Sequence, residues 1–216
     1  MNPVKTEDIV LDIQDLRKSF GKRRVLSGVN LRARRGEIIG IVGENGVGKS
    51  TLLKSIVGLL RPDSGNIKIK GSFGYCPQDM LLFESLTVDE NFRLFASAYG
   101  LNGGRDGNDW KQAKSGLMKM LTFEKYGNMM VSRLSGGTRQ KLNFSLSVLH
   151  HPDLLVLDEP YSALDWESYK SFWDYTERMK ETQRTVILVS HMIFEREKLD
   201  RLFELKNGIL RCAPIN

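Results

Sequence analysis

The sequence predicts an α/β fold in which a helical segment is inserted into a core built on a parallel sheet. Three short apolar runs are typical of strands buried on both faces, and the chain between the first and second run has mostly helical patterns. We therefore expect one domain, with residues 1–78 and 151–216 forming the core and residues 79–150 forming a helical part. The apolar runs are Ile38–Val42, Leu154–Leu157 and Thr185–Val189.

The size and charge of the chain narrow the classes of function. Its 216 residues are enough to bury a sizeable core. The net charge of +6 is a mild excess, which suits an anionic ligand or a membrane surface and gives no reason to expect nucleic acid. Cys76 and Cys212 show no metal-binding spacing, and we interpret them as free thiols in a reducing cytosol.

The sequence gives no sign of a membrane-spanning or secretory segment. The first residues lack a charged-then-apolar signal pattern, and no apolar run approaches the roughly 18 residues needed to cross a bilayer. We therefore expect a cytoplasmic protein whose membrane role, if it has one, depends on a partner.

The core pattern begins and ends with further short elements. Residues Ile9–Leu16 alternate between apolar and polar, which predicts an edge strand. Pro62–Gly65 predicts a turn, and Ile67 and Ile69 predict a brief strand after it. Near the end of the chain, Phe203–Leu210 predicts a hairpin that turns at Lys206–Gly208.

The inserted part contains three predicted helices. Thr87–Glu90 fits a capping box that opens a helix through about Tyr99. A polar, glycine-rich connector at Asn102–Asn108 precedes a helix at Asp109–Leu121, and a third helix covers Ser135–Leu149.

Two further patterns favour structural interpretations. The basic runs Lys22–Arg24 and Arg32–Arg35 are interpreted as solvated loop charge, with contact to a membrane surface as the alternative. An aromatic stripe at helical spacing is interpreted as core packing, with nucleotide or partner contact as the alternative. The stripe consists of Trp166, Tyr169, Phe172 and Trp173.

The strongest motif is a phosphate-binding loop. Residues 43–51 match the pattern G-x-x-x-x-G-K-[ST] and stand between a predicted strand and a predicted helix, as the motif requires. In such a loop Lys49 reaches the β- and γ-phosphates and Ser50 binds Mg²⁺, while backbone amides at the helix N-terminus surround the phosphates. The predicted nucleotide-binding residues are Gly43, Glu44, Asn45, Gly46, Val47, Gly48, Lys49, Ser50 and Thr51.

Two carboxylates follow the buried strand Leu154–Leu157. Asp158 and Glu159 stand at its carboxyl end, the edge of an open α/β sheet where ligands bind. Asp158 is suited to hold Mg²⁺, and Glu159 is suited to polarise an attacking water.

A second glycine-containing motif carries a family resemblance. Lys49 and Asp158 alone would admit many P-loop enzymes, but the sequence LSGG at Leu134–Gly137 makes the chain resemble the ATP-binding subunit of an ABC transporter. The resemblance extends over essentially the whole chain. It implies a P-loop NTPase core of the RecA-like kind, an antiparallel β subdomain and an inserted α-helical subdomain.

The resemblance also assigns roles to other residues. Gln78, in Tyr75–Gln78, is similar to the family's Q-loop glutamine, which touches Mg²⁺ or the attacking water. Ser162–Asp165 resembles the D-loop, and His191 resembles the switch histidine that contacts the γ-phosphate. Phe20 stands where the family places an aromatic ring on adenine. Ser135, Gly136 and Gly137 of the LSGG motif imply contacts with ATP held by another subunit.

Some positions depart from the family pattern. Thr138 follows LSGG where many relatives have glutamine, and the segment between Gly65 and Gln78 is shorter than usual, so one arm of the sheet is expected to be trimmed. No T-x-V-G-E-x-G precedes Leu134, unlike fused multidrug exporters. Thr87–Phe92 and Tyr99–Leu101 instead resemble stand-alone exporter ATPases for drugs, peptides or polysaccharides.

These resemblances imply an Mg²⁺-dependent ATPase that energises a membrane exporter. Two copies, or one copy and a close paralogue, would close over two ATP molecules, and a transmembrane permease would contact the region from Gln78 to Phe92. The chain would then lie on the inner face of the cell membrane. The alternatives are an importer ATPase, a soluble ABC ATPase without a transport role, and a nucleotide-gated module that does not hydrolyse ATP.

Overall fold

The computed structural model describes residues 8–101 and 110–215. The predicted connector Asn102–Asn108 lies outside the described residues. The strands are β1 (Ile9–Phe20), β2 (Arg23–Arg34), β3 (Ile38–Val42), β4 (Ser64–Ile69), β5 (Phe73–Cys76), β6 (Leu154–Asp158), β7 (Thr185–Ser190), β8 (Arg201–Lys206) and β9 (Ile209–Ala213). The α-helices are α1 (Lys49–Ile56), α2 (Val88–Ala98), α3 (Trp110–Met120), α4 (Gly136–Val148) and α5 (Trp166–Glu181).

The central sheet confirms the predicted α/β core. Its six strands run in the order β5-β6-β7-β3-β8-β9, and β3 pairs in parallel with both β7 and β8. The strands β6 and β7 are also parallel, while β8 and β9 form the predicted antiparallel hairpin. The carboxyl ends of β3, β6 and β7 therefore lie side by side, and each is followed by residues of the predicted site.

A second, three-stranded antiparallel sheet has the order β2-β1-β4. The prediction of an edge strand at Ile9–Leu16 was wrong, because β1 pairs on both sides and is the middle strand. Its alternating pattern indicates that one face of the strand is buried and the other is solvated. This pattern is the same for a middle strand and an edge strand.

The basic runs also differ from the prediction. Arg23, Arg24 and Arg32–Arg34 belong to β2 rather than to loops. Apolar residues of this strand face the core, while most of the basic residues are exposed, as at Arg32, whose Nε donates to Asp12 Oδ1 at 3.0 Å. Long cationic side chains can occupy the solvated face of a strand, so charge density alone did not distinguish strand from loop.

The chain divides into two compact units. The first contains residues up to Tyr75, the segment Asp153–Glu159, and the chain from Thr176 onward. Its core joins apolar residues of β1, β2, β3, α1, β6 and β7, including Leu26, Ile41 and Val156, all fully buried. This unit contains the phosphate-binding loop and the two carboxylates.

The second unit contains Cys76–Pro152 and Pro160–Tyr175. The predicted capping box is confirmed, because Glu90 N–H donates to Thr87 Oγ1 at 3.2 Å and Thr87 N–H donates to Glu90 Oε2 at 2.7 Å. Phe144 of α4 packs against Phe172 of α5 with ring centroids 5.3 Å apart.

The aromatic stripe of α5 is core only in part. Phe172 and Trp173 are buried as predicted, whereas Trp166 is 65% exposed. Trp166 stands at the first residue of the helix and stacks on Tyr169 at 5.8 Å between ring centroids.

Among residues 8–101 and 110–215, no helix has the length and apolar character needed to cross a membrane.

Candidate functional site

The phosphate-binding loop connects β3 to α1, as predicted. The helix begins at Lys49, with Gly48 in the capping position. The Lys49 side chain is buried, and its Nζ donates to the carbonyl oxygens of Gly43 at 2.7 Å and Glu44 at 3.1 Å. The ammonium group therefore lies inside the loop, bonded to the loop's own backbone. A phosphate oxygen is a stronger, charged acceptor for the same group.

Two glycines of the loop are needed for close packing. Gly48 has φ of 115°, and a Cβ there would lie 2.6 Å from Val25 Cγ1. A Cβ on Gly43 would lie 2.6 Å from the carbonyl oxygen of Leu205. The loop is thus packed directly against β2 and β8, which fixes its position relative to the sheet.

One further residue supports the loop, and sequence reasoning missed it. Arg23 in β2 donates from its guanidinium to the carbonyl oxygen of Gly46 at 2.8 Å. In the sequence Arg23 is one of a cluster of basic residues, and no spacing rule connects it with a loop 23 residues away. Only the position of β2 identifies the contact.

Asp158 has the features of a metal ligand. Its side chain is buried, and its Oδ1 has no hydrogen-bond partner among the described residues. Burial raises the pKa of the Asp158 carboxyl, and a hydrogen bond from Ser50 opposes that increase. A buried carboxylate oxygen beside a hydroxyl is a pair of hard oxygen donors, which fits Mg²⁺. Asp158 and Ser50 are therefore the residues here that would hold the ion.

Glu159 is held tightly at the end of β6. Its Oε2 accepts a hydrogen bond from Ser190 Oγ at 2.6 Å, and its Oε1 accepts one from the His191 backbone N–H at 2.7 Å. Its backbone has φ of 48°, the left-handed region that non-glycine residues rarely adopt, and its N–H donates to the Val189 carbonyl at 2.9 Å. Such a conformation costs about 1–2 kcal/mol, and strain of this kind concentrates at functional sites.

His191 lies beside both Glu159 and the phosphate-binding loop. Its Nδ1 is 3.3 Å from Glu159 Oε2, and its side chain is 61% exposed. His191 also lines a cleft of about 480 Å³ together with Gly43, Glu44 and Asn45. The histidine can therefore reach a group bound at the start of the loop.

Phe20 ends β1 and exposes 52% of its surface. Lys18 Nζ lies 5.6 Å from the centre of the Phe20 ring, and the same ammonium donates to Asp63 Oδ1 at 3.0 Å. An exposed ring of this kind is available for stacking on a flat ligand.

Gln78 lies in the second unit and is exposed. The two residues before it are fixed by Asn143 of α4, whose Nδ2 donates to the Pro77 carbonyl at 2.9 Å and approaches Cys76 Sγ at 3.2 Å. Cys76 and Pro77 are thereby bonded to the helix of the LSGG motif.

The LSGG motif forms the N-terminus of α4. Ser135 is the capping residue, and its Oγ accepts the N–H of Thr138 at 3.2 Å. The hydroxyls of Ser135 and Thr138 are also hydrogen-bonded, at 2.9 Å. The departure at Thr138 therefore gives the Ser135 hydroxyl a partner within the same turn.

The two glycines of the motif have different surroundings. Gly136 is exposed, and a Cβ there would meet no atom within 4 Å. A Cβ on Gly137 would lie 2.7 Å from the Ala163 carbonyl oxygen. Gly136 thus leaves open space at the helix N-terminus, where an anion is favoured, whereas Gly137 allows close packing on the segment Ser162–Asp165.

Helix α4 makes two further bonds to the segment after Glu159. Gln140 Nε2 donates to the Pro160 carbonyl at 2.7 Å, and Lys141 Nζ lies 2.7 Å from Asp165 Oδ2. Hydrogen bonds from Lys141 and from the Ser168 backbone lower the pKa of Asp165 to about 2. The LSGG helix and the residues from Pro160 to Asp165 therefore belong to one packed unit.

The structure brings part of the predicted site together. The first unit contains five of the predicted residues, which lie at or after the carboxyl ends of three neighbouring strands: Lys49, Ser50, Asp158, Glu159 and His191. Gln78, Ser135, Gly136 and Gly137 belong to the second unit. Ser190 and Arg23 are the contributors that sequence reasoning missed.

Comparisons with known proteins agree with this geometry. A family model described as ABC transporter matches residues 26–162. Nod factor export ATP-binding protein I of Ralstonia nicotianae is 31% identical over 212 residues, which are 92% of this chain and 65% of that protein. An ABC transporter ATP-binding protein of Methanocaldococcus jannaschii is 31% identical over 92% of this chain and 74% of its own length.

Solved structures show the same similarity. An ATP-binding subunit of an ABC transporter superposes with a TM-score of 0.87 at 28% identity, covering 94% of this chain and 89% of that chain. An ATP-binding cassette in a dimeric, post-hydrolysis state bound to ADP and Pi gives a TM-score of 0.85 at 25% identity, covering 95% of this chain and 99% of that chain. The chain spans just under two thirds of the Ralstonia relative, so that protein has additional length that this chain does not match.

Proposed function

The chain belongs to the ABC transporter family as an ATP-binding subunit, and from this we propose that it hydrolyses ATP to energise a membrane exporter. The observation that carries the proposal is the grouping of Lys49, Glu159 and His191 around the carboxyl ends of β3, β6 and β7. These are the groups that phosphoryl transfer to water needs: a cation for the phosphates, a carboxylate for the water and a sensor of the γ-phosphate.

Lys49 is proposed to grip the β- and γ-phosphates. In the structure its ammonium donates to the Gly43 and Glu44 carbonyls. An ammonium group is attracted more strongly to an anionic phosphate oxygen than to a neutral carbonyl oxygen, so ATP would draw the ammonium from the loop carbonyls to the phosphates. The amides of the loop and of the first turn of α1 would complete the cradle.

Ser50 and Asp158, with Gln78, are proposed to hold Mg²⁺. The buried, unpartnered Oδ1 of Asp158 supports this assignment. When bound, the ion would neutralise charge that develops on the phosphate oxygens.

Glu159 is proposed to position the attacking water. Its carboxylate is fixed by bonds to the end of β7. The two oxygens offer about four lone-pair sites to three protein donors, so one site can still accept from water. His191 is proposed to contact the γ-phosphate, and Phe20 to stack on the adenine ring. The exposed faces of both side chains support these roles.

Two copies of the chain, or one copy and a paralogue, are proposed to complete each other's sites. The exposed N-terminus of α4 at Ser135, Gly136 and Gly137 would close over the γ-phosphate held by the other subunit. ATP would then favour the closed pair, and hydrolysis would release it. The dimeric, post-hydrolysis cassette that this chain resembles supports the arrangement.

A transmembrane permease is proposed to dock on the segment from Gln78 to Phe92. Leu81 and Phe83 expose 57% and 50% of their surfaces there. The segment is not loosely held, because Asn91 is buried and bonds both the N–H and the carbonyl of Phe83 at 3.0 Å. The chain would thus lie on the inner face of the membrane, with 1–78 and 151–216 as its catalytic part and 79–150 as its helical part.

Export is the proposed direction. Two relatives support it by their names: the Nod factor export protein of Ralstonia, and a linearmycin resistance ATP-binding protein of Bacillus subtilis that is 30% identical. An importer subunit is the competing assignment. A gene for a solute-binding protein beside the gene for this chain would favour import, and a polytopic membrane protein alone would favour export.

Replacement of Glu159 by glutamine tests the catalytic proposal. We expect Glu159→Gln to bind ATP normally and to lose hydrolysis by at least about 100-fold, because the water loses its base. ATP, but not ADP, should then convert the variant to a dimer in size-exclusion chromatography. Glu181→Gln, a change at an exposed residue at the end of α5, is the control and should behave as wild type. Normal hydrolysis by a monomeric Glu159→Gln would contradict the assignment.

A further inference from the structure

The side chain that fixes the carboxylate of Glu159 is Ser190, the last residue of β7. Ser190 is fully buried, and its Oγ donates to Glu159 Oε2 at 2.6 Å. This bond is short, as hydrogen bonds from a hydroxyl to a carboxylate are. The bond is shorter than the contacts of His191, whose Nδ1 lies 3.3 Å and 3.4 Å from the two carboxylate oxygens.

The direction of the Ser190 hydroxyl is set by its surroundings. The N–H of Met192 donates to Ser190 Oγ at 3.3 Å, which occupies a lone pair of the oxygen. The carboxylate of Glu159 can only accept, so the single proton of the hydroxyl must point to Glu159. In this bond Ser190 is therefore always the donor and Glu159 always the acceptor.

The backbone of Ser190 is held by its place in the central sheet. Ser190 pairs with Val42, the last residue of the strand before the phosphate-binding loop. On the other side of β7, Val189 pairs with Asp158. Ser190 thus ends the strand that lies between β3, which leads to the phosphate-binding loop, and β6, which leads to Glu159.

From these contacts we propose that Ser190 is a positioning residue for ATP hydrolysis. It holds Oε2 of Glu159 while the His191 amide holds Oε1, so the carboxylate keeps one orientation despite its left-handed backbone. This inference rests on the proposed function, because it assigns a partner to the group that positions the water. Loss of the hydroxyl would let the carboxylate rotate, and misplacement of a reacting group by about 1 Å costs up to roughly 100-fold in rate.

The test is Ser190→Ala, with Ser190→Thr as the variant that keeps the hydroxyl. We expect Ser190→Ala to lower kcat roughly 10- to 100-fold and to leave KM for ATP within about twofold, because the phosphate-binding loop is unchanged. Ser190→Thr should recover most of kcat. Thermal melting in the presence and absence of ATP checks that each variant folds and binds nucleotide.

A double-mutant cycle separates positioning from a structural role and does not depend on the threonine variant. Single-turnover rates are measured for Glu159→Gln with and without Ser190→Ala. If Ser190 acts through Glu159, the alanine change should lower the residual rate less than about twofold in that background. An equal loss of rate from Ser190→Ala in the wild-type and Glu159→Gln backgrounds would overturn this inference and leave the proposed function standing. Full activity of Ser190→Ala beside an active wild type would do the same. A wild-type chain without ATPase activity would overturn the proposed function and this inference with it.

Discussion

At the scale of single residues, two identical amino acids in one motif have different surroundings. Gly136 borders open space at the N-terminus of α4, whereas Gly137 packs against the backbone of Ala163. Sequence comparison treats them as one LSGG motif. The structure assigns Gly136 to the surface proposed to receive a phosphate and Gly137 to the packing of the second unit.

Alanine substitutions at the two glycines should therefore have separable effects. Gly136→Ala should leave the melting temperature near wild type and lower ATPase activity at least about tenfold, because its methyl group keeps the phosphate from the helix amides. Gly137→Ala should lower stability by about 1–3 kcal/mol, since its Cβ must displace the Ala163 carbonyl. Thermal melting and ATPase rates of both variants check this, and a destabilised Gly136→Ala would contradict it.

At the scale of elements, α4 is bonded to two other segments of the second unit. Within about one turn, Gln140 and Lys141 bond to Pro160 and Asp165, while Asn143 bonds to Pro77. The polar residues are buried because each has a partner, which explains why this helix lacks a simple apolar stripe. Helix α4 is therefore bonded both to the segment before Gln78 and to the segment after Glu159.

The Lys141–Asp165 pair gives α4 a pH-dependent contribution to stability. Because the pKa of Asp165 is lowered to about 2, the contribution is complete above the ordinary carboxyl pKa near 4 and is lost as pH falls towards 2. The melting temperature of Asp165→Asn should lie below wild type at pH 7, and the difference should shrink between pH 5 and pH 3. The effect is modest, because the Asp165 side chain is 56% exposed. A difference that is constant over this range would contradict the prediction.

Most elements could be predicted from the sequence, and the errors have physical explanations. The buried strands and the cap of α2 were predicted because apolar runs and Thr87–Glu90 specify their own conformations. The strand Arg23–Arg34 was missed, since exposed arginines hide its alternation, and β1 was taken for an edge strand because alternation does not reveal the number of neighbours.

At the scale of the whole molecule, the proposed function divides each site between two chains. The groups proposed to hold phosphate and water belong to the first unit, and Ser135–Gly137, proposed to close over the ATP of another subunit, belong to the second. Under this proposal, hydrolysis is expected to depend on pairs of chains.

Diluting the wild-type chain and then adding Glu159→Gln in excess tests this dependence. On dilution the rate per wild-type subunit should fall, because pairs become scarce. Added Glu159→Gln lacks the catalytic carboxylate but keeps Ser135–Gly137, which can complete the site of a wild-type partner, so the rate per wild-type subunit should rise again. Ser135→Arg, which should not close over a partner's ATP, is the control and should give no rise. A rate per subunit that neither dilution nor Glu159→Gln alters would show that each chain hydrolyses ATP alone.

The sequence by itself determined the α/β class, the phosphate-binding loop, the two carboxylates and the family, because each depends on residues that are neighbours along the chain. The tertiary structure alone decided which side chains hold Glu159 and the phosphate-binding loop in place. Ser190 meets Glu159 across 31 residues, and Arg23 meets the loop across 23. Such contacts depend on which strands lie side by side and in which register, and a lone serine or arginine has no pattern that reports its neighbours in the sheet.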